Sequence, residues 1–133
     1  MDVSGRIRRS IANRDDSVFV RTDFAEFGSP AQVSRALKLL LGAGVIVRLG
    51  LGVYAKAKRS ALTGRPIPVQ PLEVLAPEAF RKLGIEVQPG RLALAYNAGE
   101  TTQVPAGIVL NTGRRRVVRK LSFNDRSVRY ERT

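Results

Sequence analysis

The sequence predicts an α+β fold built from two small regions, and three observations lead to this prediction. Residues 29–55 have the pattern of a capped helix followed at once by a tight two-stranded hairpin. A helical run and a short β-favouring run precede them, within residues 3–20. Three β-rich runs close the chain after residue 107, so helices and strands are both present but are not regularly alternated.

The chain is strongly basic. Its 133 residues include 23 Lys and Arg against 11 Asp and Glu, a formal net charge of +12. The excess is +6 in residues 1–60 and +6 in residues 61–133. A domain this basic usually faces phosphate, either in nucleic acid or on an anionic membrane. A merely soluble basic protein is the alternative.

Composition argues against most kinds of catalytic or metal centre. Cys and His are both absent, which removes thiolates, the commonest metal ligand and the commonest general base. Asp15-Asp16 has no spaced third ligand, and Gly50-x-Gly52 lacks the rest of a phosphate-binding fingerprint. We therefore expect no enzyme activity, no catalytic residue, no metal and no cofactor.

Hydropathy predicts a cytoplasmic protein without a membrane partner. No run approaches the roughly 20 apolar residues of a membrane span. The first residues lack the apolar core of a signal peptide.

The N-terminal region begins with short elements. An apolar residue at every fourth position predicts a helix over residues 3–13. Residues 18–20 favour a strand. Thr22 is expected to cap a small helix, which Gly28 ends.

The strongest helix signal begins at Ser29. Ser is a preferred N-cap, Pro30 suits the first helical position and Gln32 completes a capping box, so a helix is predicted over residues 30–43. Its apolar face is predicted to comprise Val33, Leu37, Leu40 and Leu41. The opposite arc carries Ala31, Ser34, Arg35 and Lys38, with Gln32 at its edge.

A hairpin is expected directly after this helix. Residues 45–49 and 53–55 are β-rich, and Gly50-Leu51-Gly52 between them offers two residues free to take positive φ. The order helix, strand, helix, helix and hairpin is typical of a winged helix-turn-helix, which we predict for residues 1–57.

The rest of the chain is predicted to hold a linker and a second small α+β domain. Residues 58–71 are rich in Pro and polar residues and are interpreted as the linker. Residues 72–133 follow, with helices expected at 77–83 and 91–98. An antiparallel β meander is predicted from the runs 108–110, 117–123 and 127–131, separated by turns at Asn111-Thr112-Gly113 and Asn124-Asp125.

The polar arc of helix 30–43 suits the major groove of DNA. That groove admits one α-helix, and residues near the N-terminal end of the helix reach the base edges. The helix N-terminus also favours phosphate. The alternative is that the charges merely solvate an amphipathic helix. The residues predicted to contact DNA from this helix are Ser29, Gln32, Ser34, Arg35 and Lys38.

Other basic residues are expected to hold the DNA backbone. Arg48 and Lys56 lie at the base of the predicted wing, and Arg6 and Arg9 lie on the first helix. Tyr54 is expected in the core rather than as a stacking platform. The densest basic cluster is expected to contact phosphate or an acidic partner, with a solvated turn as the alternative; it comprises Arg114, Arg115, Arg116, Arg119 and Lys120.

Several stretches resemble the AbiEi-type antitoxins, or a related group of bacterial proteins that share their N-terminal winged helix. Three of them resemble the winged helix itself and read VFVRTDF at 18–24, GSPAQVSRAL at 28–37 and GVIVRLGLGVY at 44–54. A fourth, YNAGETTQVPA at 96–106, is similar to the stretch before the β region in that group.

The resemblance implies a DNA-binding autoregulator that represses its own operon. In type IV toxin–antitoxin pairs such a protein also counteracts a nucleotidyltransferase toxin without forming a stable complex with it. Family members usually continue past the β region, and their antitoxic activity resides in that C-terminal part. For these 133 residues we therefore expect transcriptional control more than toxin neutralisation.

Together these observations predict a sequence-specific double-stranded DNA-binding protein, a transcriptional repressor of the antitoxin class, with a homodimer as one expected assembly. The alternative is a winged-helix module that binds protein or RNA without operator specificity. A catalytic role for Asp15 or Asp16 is a third hypothesis.

Overall fold

The computed structural model describes residues 2–105 and 107–133. The fold is α+β, as the sequence predicts, and the chain divides into two compact units, Met1–Pro71 and Leu72–Thr133. Ala106, the last residue of the 96–106 stretch quoted above, lies outside the described residues.

The first unit contains the elements expected before residue 57 and one further strand. Their ends lie within two residues of the predictions, except that the second hairpin strand ends at residue 59 rather than 55. In order these are α1 (Val3–Asn13), β1 (Val18–Val20), a 3-10 helix (Arg21–Phe27), α2 (Pro30–Gly42), β2 (Ile46–Gly50), β3 (Val53–Arg59) and β4 (Pro66–Pro68). Strand β3 is central: β1 and β2 flank it, and β4 pairs with its far end, all antiparallel.

Helix α2 begins with the capping box that the sequence predicts. The Ser29 hydroxyl accepts the backbone N–H of Gln32 at 3.2 Å, and the Gln32 side-chain oxygen accepts the backbone N–H of Ser29 at 2.9 Å. Two N–H groups at the start of the helix are thereby satisfied. Leu41 is half-buried, and the fully buried side chains of the helix are Val33, Ala36, Leu37 and Leu40.

One apolar core joins α1, the 3-10 helix, α2 and the sheet. The rings of Phe19 and Phe24 are both fully buried, with centroids 5.7 Å apart. Tyr54 lies in this core, which confirms the sequence prediction for that residue. The other buried members are Ile7, Ile11, Val33, Ala36, Leu37, Leu40 and Ile46.

The start of the 3-10 helix differs from the expectation. Thr22 is exposed and is not the cap. Instead the Asp23 carboxylate reaches back to accept the N–H of Val20 at 3.0 Å. Gly28 follows the helix as predicted. A Cβ there would lie 2.8 Å from the Gln32 side-chain oxygen, so the Gln32 side chain would have to move.

Residues 58–71, interpreted from sequence as a linker, instead belong to the first unit and are hydrogen-bonded within it. Strand β3 continues to Arg59, and the chain turns back so that β4 pairs with residues 57–59. The Ser60 hydroxyl accepts backbone N–H groups within the turn, and the N–H of Val69 donates to Lys56 at 2.9 Å. Proline is tolerated in β4 because this strand lies at a sheet edge.

The second unit contains two helices and a four-stranded sheet. Its elements are α3 (Leu72–Lys82), β5 (Gln88–Pro89), α4 (Arg91–Asn97), β6 (Ile108–Asn111), β7 (Ser122–Phe123) and β8 (Arg126–Glu131). Helix α3 starts five residues earlier than expected and contains Pro77. Its fully buried Phe80 meets Tyr130 of β8 edge to face, with ring centroids 5.7 Å apart.

The pairing of this sheet corrects the predicted antiparallel meander. The strand order is β5-β6-β8-β7, and β6 pairs with β8 in parallel. The turn at Asn124-Asp125 forms as expected and joins β7 to β8, but β8 then extends beyond β7 to reach β6. Parallel neighbours need a long crossover, and residues 112–125 provide it. Residues 112–121 of this connection are not in a strand, so the predicted strand 117–123 is reduced to two residues.

None of the helices formed by residues 2–105 and 107–133 has the length and apolar content that a membrane crossing requires.

Candidate nucleic-acid interface

The solvent face of α2 is polar, cationic and free of carboxylates. At about 100° per residue, Arg35 falls near the middle of this face. Within the described chain, the side chains of Arg35 and Lys38 form no hydrogen bond or ion pair with another residue. We call this face the α2 arc; its exposed residues are Ala31, Gln32, Ser34, Arg35, Lys38, Leu39 and Gly42.

Two residues predicted to contact DNA, Ser29 and Gln32, already have a structural role. Both are exposed, but one oxygen of each side chain is engaged in the capping box. The hydroxyl proton of Ser29 and the side-chain amide N–H groups of Gln32 are still able to donate. Both residues therefore suit an acceptor such as a phosphate oxygen or a base carbonyl.

Arg21 belongs to the same surface, although the sequence did not identify it. Its Nη2 donates to the Pro30 carbonyl and to the Ser34 hydroxyl, both at 2.8 Å. Its backbone N–H donates to the carbonyl of Gly52 in the hairpin turn at 3.0 Å. Arg21 thus lies between the hairpin and α2, and it leaves the Ser34 hydroxyl proton free to donate. A separation of 13 residues follows no helical or strand period, so nothing in the sequence pairs Arg21 with Ser34.

The two arginines predicted to act from α1 differ in their surroundings. The Arg6 guanidinium lies over the Phe27 ring, 5.3 Å from its centroid, and donates to the Phe27 carbonyl at 3.3 Å. The Arg6 charge therefore lies beside Phe27, which precedes Ser29, the N-cap of α2, by two residues. Arg9 is exposed on the same helix, three residues further on.

The two predicted hairpin contacts also differ. Arg48 is exposed on β2, and its Nε donates to the Gly50 carbonyl at 3.2 Å. Lys56 is half-buried, and its ammonium donates to the carbonyl of Arg14. Its backbone N–H also donates to Ser17, so Lys56 ties β3 to the loop after α1. The sequence did not indicate this internal role.

The distribution of acidic residues reinforces the positive character of the surface. No Asp or Glu occurs between Phe27 and Leu72, a stretch that contains seven Lys and Arg. The carboxylates of Asp2 and Asp23 cap α1 and the 3-10 helix. Counted by unit, the first has twelve basic and five acidic residues, a net +7, and the second has eleven and six, a net +5.

The basic cluster of the second unit lies on a turn and an irregular segment rather than on a strand. Arg119 is half-buried, and its carbonyl accepts the hydroxyl of Tyr130. The exposed members are Arg114, Arg115, Arg116 and Lys120. In the two described ranges, no group of three or more Asp or Glu side chains is placed to hold a metal ion.

The fold and this surface define a class of small, basic α+β proteins with a cationic helix face. Residues 6–133 match a family of unknown function, DUF6088, and because the match spans nearly the whole chain, the protein belongs to that family. No curated protein matches the chain.

Proposed function

We propose that this protein is a sequence-specific double-stranded DNA-binding protein that represses transcription. The observation that carries the proposal is the α2 arc. Its 13-residue helix is capped, has no carboxylate of its own, and presents the side chains of Arg35 and Lys38, which have no partner among the described residues. A helix of this kind fits the major groove, where Arg recognises guanine through two hydrogen bonds.

The architecture around α2 supports a winged helix-turn-helix. The order α1, β1, 3-10 helix, α2, β2 and β3, with a sheet in the order β1-β3-β2, has the helix and hairpin in the sequence that this motif requires. In this proposal α2 is the recognition helix, and the hairpin of β2 and β3 is the wing beside it.

Each cation has a distinct role in the proposed complex. Arg35 reads a base, which is worth about 1–3 kcal/mol of discrimination against a wrong base. Lys38 and Arg21 contact phosphates, and each such contact contributes about 0.9 to the salt slope of log K. The Ser34 hydroxyl, already bonded to Arg21, donates its proton to a phosphate or base acceptor.

The regulatory part of the proposal depends on the resemblance to AbiEi-type antitoxins. It adds repression of the protein's own operon and a nucleotidyltransferase as functional counterpart. A cytoplasmic location and a homodimer as one assembly are proposed beside it, independently of the resemblance. Enzyme activity is not part of the proposal.

Selection of duplexes from a random pool with the full chain tests the proposal. We expect one sequence to be enriched. We expect Arg35→Ala to weaken that duplex roughly 5- to 150-fold, the equivalent of about 1–3 kcal/mol, and random duplexes far less. Lys38→Ala should weaken all duplexes about equally and lower the salt slope by about 1.

Arg65→Ala is the matched control, because Arg65 is an exposed arginine in the turn before β4 and away from α2 in sequence. Enrichment of no sequence, together with an Arg35→Ala variant that binds like the wild type, would rule out the proposal.

A second function, a protein-interaction module, is favoured by two exposed apolar residues. Leu39 on α2 is 64% exposed and Leu51 at the hairpin tip is 75% exposed. If the surface binds protein, association should survive nuclease digestion and disappear in Leu39→Ser. If it binds DNA, Leu39→Ser should have a smaller effect than Arg35→Ala.

A further inference from the structure

The turn after β6 in the second unit is held by internal hydrogen bonds. Thr112 is only 4% exposed, and its hydroxyl lies 2.6 Å from the Arg115 carbonyl, to which it donates. Its backbone N–H donates to the carbonyl of Glu131 on β8 at 3.0 Å. We call residues 111–116 the arginine turn. The turn is thus anchored to the sheet by a buried polar residue.

A second set of bonds defines the conformation at the tip. The Asn111 side-chain oxygen accepts the N–H of Gly113 at 2.7 Å, and the N–H of Thr133 donates to the Gly113 carbonyl at 2.8 Å. Gly113 has φ +68°, a conformation that L side chains rarely adopt. Both ends of the tip are therefore bonded, and its backbone conformation favours glycine.

The segment that leaves the turn is also anchored. The hydroxyl of Tyr130 donates to the Arg119 carbonyl. Burial of this hydroxyl raises its pKa above the usual value for tyrosine. Because Tyr130 itself packs on Phe80, the segment is tied to the core of this unit.

The side chains that the turn presents are cations without internal partners. Within the described residues, Arg114, Arg115 and Arg116 are exposed and form no side-chain hydrogen bond or ion pair. No Asp or Glu occurs from Thr101 to Asn124. Unlike these three arginines, Arg91 and Arg126 in the same unit are paired, with Glu131 at 3.7 Å and Glu73 at 2.6 Å.

A cleft lies beside the turn. Its volume is about 700 Å³, within the range of ligand sites. Arg114 and Arg115 line it, together with Gln88 and Leu94. Glu86 contributes a single carboxylate to the lining. The lining thus combines two arginines, a glutamine and an apolar residue with one glutamate.

We propose that the arginine turn is a second phosphodiester-binding site, which gives the second unit sequence-independent affinity for nucleic acid. A planar guanidinium matches a phosphate through two parallel hydrogen bonds. Because the turn is already ordered by Thr112 and Asn111, little backbone entropy is lost when a phosphate binds. Successive phosphates along a strand match successive arginines better than a single anion does. The inference depends on the proposed function only in taking nucleic acid as the ligand.

The test compares two double variants of the full chain that carry the same charge. Arg114→Ala/Arg115→Ala removes the cations that line the cleft. Arg65→Ala/Arg81→Ala removes two exposed arginines that do not line this cleft. Affinity for a random-sequence duplex is measured at about 50 and about 200 mM salt. We expect the first variant to lower the salt slope by about 2, so that its deficit relative to wild type shrinks roughly tenfold across that range.

Gly113→Ala is a third variant that leaves every charge in place. No atom lies within 4 Å of the added Cβ, so the change acts through the positive φ alone. We expect it to weaken binding to the random duplex several-fold, less than the double variant does. Affinity equal to wild type would overturn the role of the ordered turn.

The proposal is overturned if Arg114→Ala/Arg115→Ala binds random duplexes with the affinity and salt slope of Arg65→Ala/Arg81→Ala. That result would assign the turn to another class of partner, such as an acidic protein surface. Because this test uses random-sequence duplexes, its result does not depend on whether the protein prefers particular bases. If selection enriches no sequence but the turn variant still loses random-duplex affinity, the function proposed above fails and this inference stands.

Discussion

The two units carry similar net charges, but they hold their cations in different ways. In the first unit Arg6, Arg21 and Lys56 donate to backbone carbonyls, while Arg35 and Lys38 remain unpartnered on a helix face. In the second unit three exposed arginines, whose side chains have no partner among the described residues, lie on a turn that neutral groups hold in place. The comparison shows that net charge does not identify a binding surface. The internal partners of each guanidinium or ammonium group show which cations are already engaged within the fold.

The largest expected change in stability follows from removing a buried aromatic ring from the core of either unit. Phe24 and Phe80 are both fully buried, one in each unit. Replacing either with Ala should lower the free energy of unfolding by about 3–5 kcal/mol. We expect Phe24→Ala to abolish DNA binding by α2, and Phe80→Ala to spare base preference. Denaturant unfolding and hydrogen exchange, read separately for residues 2–71 and 72–133, would measure this.

The comparison would break if both variants lost hydrogen-exchange protection over the same residues. The two units would then unfold as one, and a defect in DNA binding would carry no information about which unit binds. Leu62→Ala is a suitable control, because this side chain is 97% exposed and its loss should change stability by less than about 0.5 kcal/mol.

A smaller effect is expected at Arg21, whose contacts join the hairpin turn to α2. Arg21→Ala removes the bonds to Pro30 and Ser34, and we expect a loss of about 1–2 kcal/mol in stability because both come from a charged donor. Arg21→Lys should recover part of it, since an ammonium cannot reproduce the planar fork. Thermal unfolding and duplex affinity should be measured together.

Arg35→Ala distinguishes the two kinds of arginine. Its side chain has no internal partner, so we expect its stability within about 0.5 kcal/mol of wild type while base preference falls. Equal stability losses for Arg21→Ala and Arg35→Ala would contradict the distinction between an arginine that donates hydrogen bonds within the fold and one that does not.

The sequence predicted those features of the first unit that depend on neighbouring residues, and it did not predict contacts between distant ones. In the first unit the helices, the capping box and the hairpin depend on signals within a few residues, such as Ser29 with Gln32. Those predictions are confirmed. The internal partner of Lys56 lies 42 residues away, and no local pattern encodes such a contact.

In the second unit the local signals are also correct, but they do not determine strand pairing. The turn at Asn124-Asp125 forms as predicted. The parallel pairing of Ile108 with Val128 joins strands that are separated by an irregular segment. No local sequence pattern in either strand specifies which strand it pairs with. DNA contact by the α2 arc and phosphate contact by the arginine turn remain predictions for both units.

The smallest expected change in stability comes from Gln32, and it separates capping from DNA contact. Gln32→Glu keeps the oxygen that accepts the Ser29 N–H, and a carboxylate is favourable at a helix N-terminus, so stability should stay within a few tenths of a kcal/mol or rise. The same carboxylate on the α2 arc repels phosphate, so duplex affinity should fall. Gln32→Ala should do the reverse: it loses roughly 0.5–1 kcal/mol of stability and has a smaller effect on affinity.

Unfolding curves and duplex titrations of the two Gln32 variants measure both quantities. If Gln32→Glu bound DNA like the wild type, the residue would be a cap alone, and the DNA-facing part of the arc would reduce to Ser34, Arg35 and Lys38. A parallel loss in both variants and both measurements would mean that the capping box orders the helix end that DNA binds. The affinity change would then follow from folding rather than from charge.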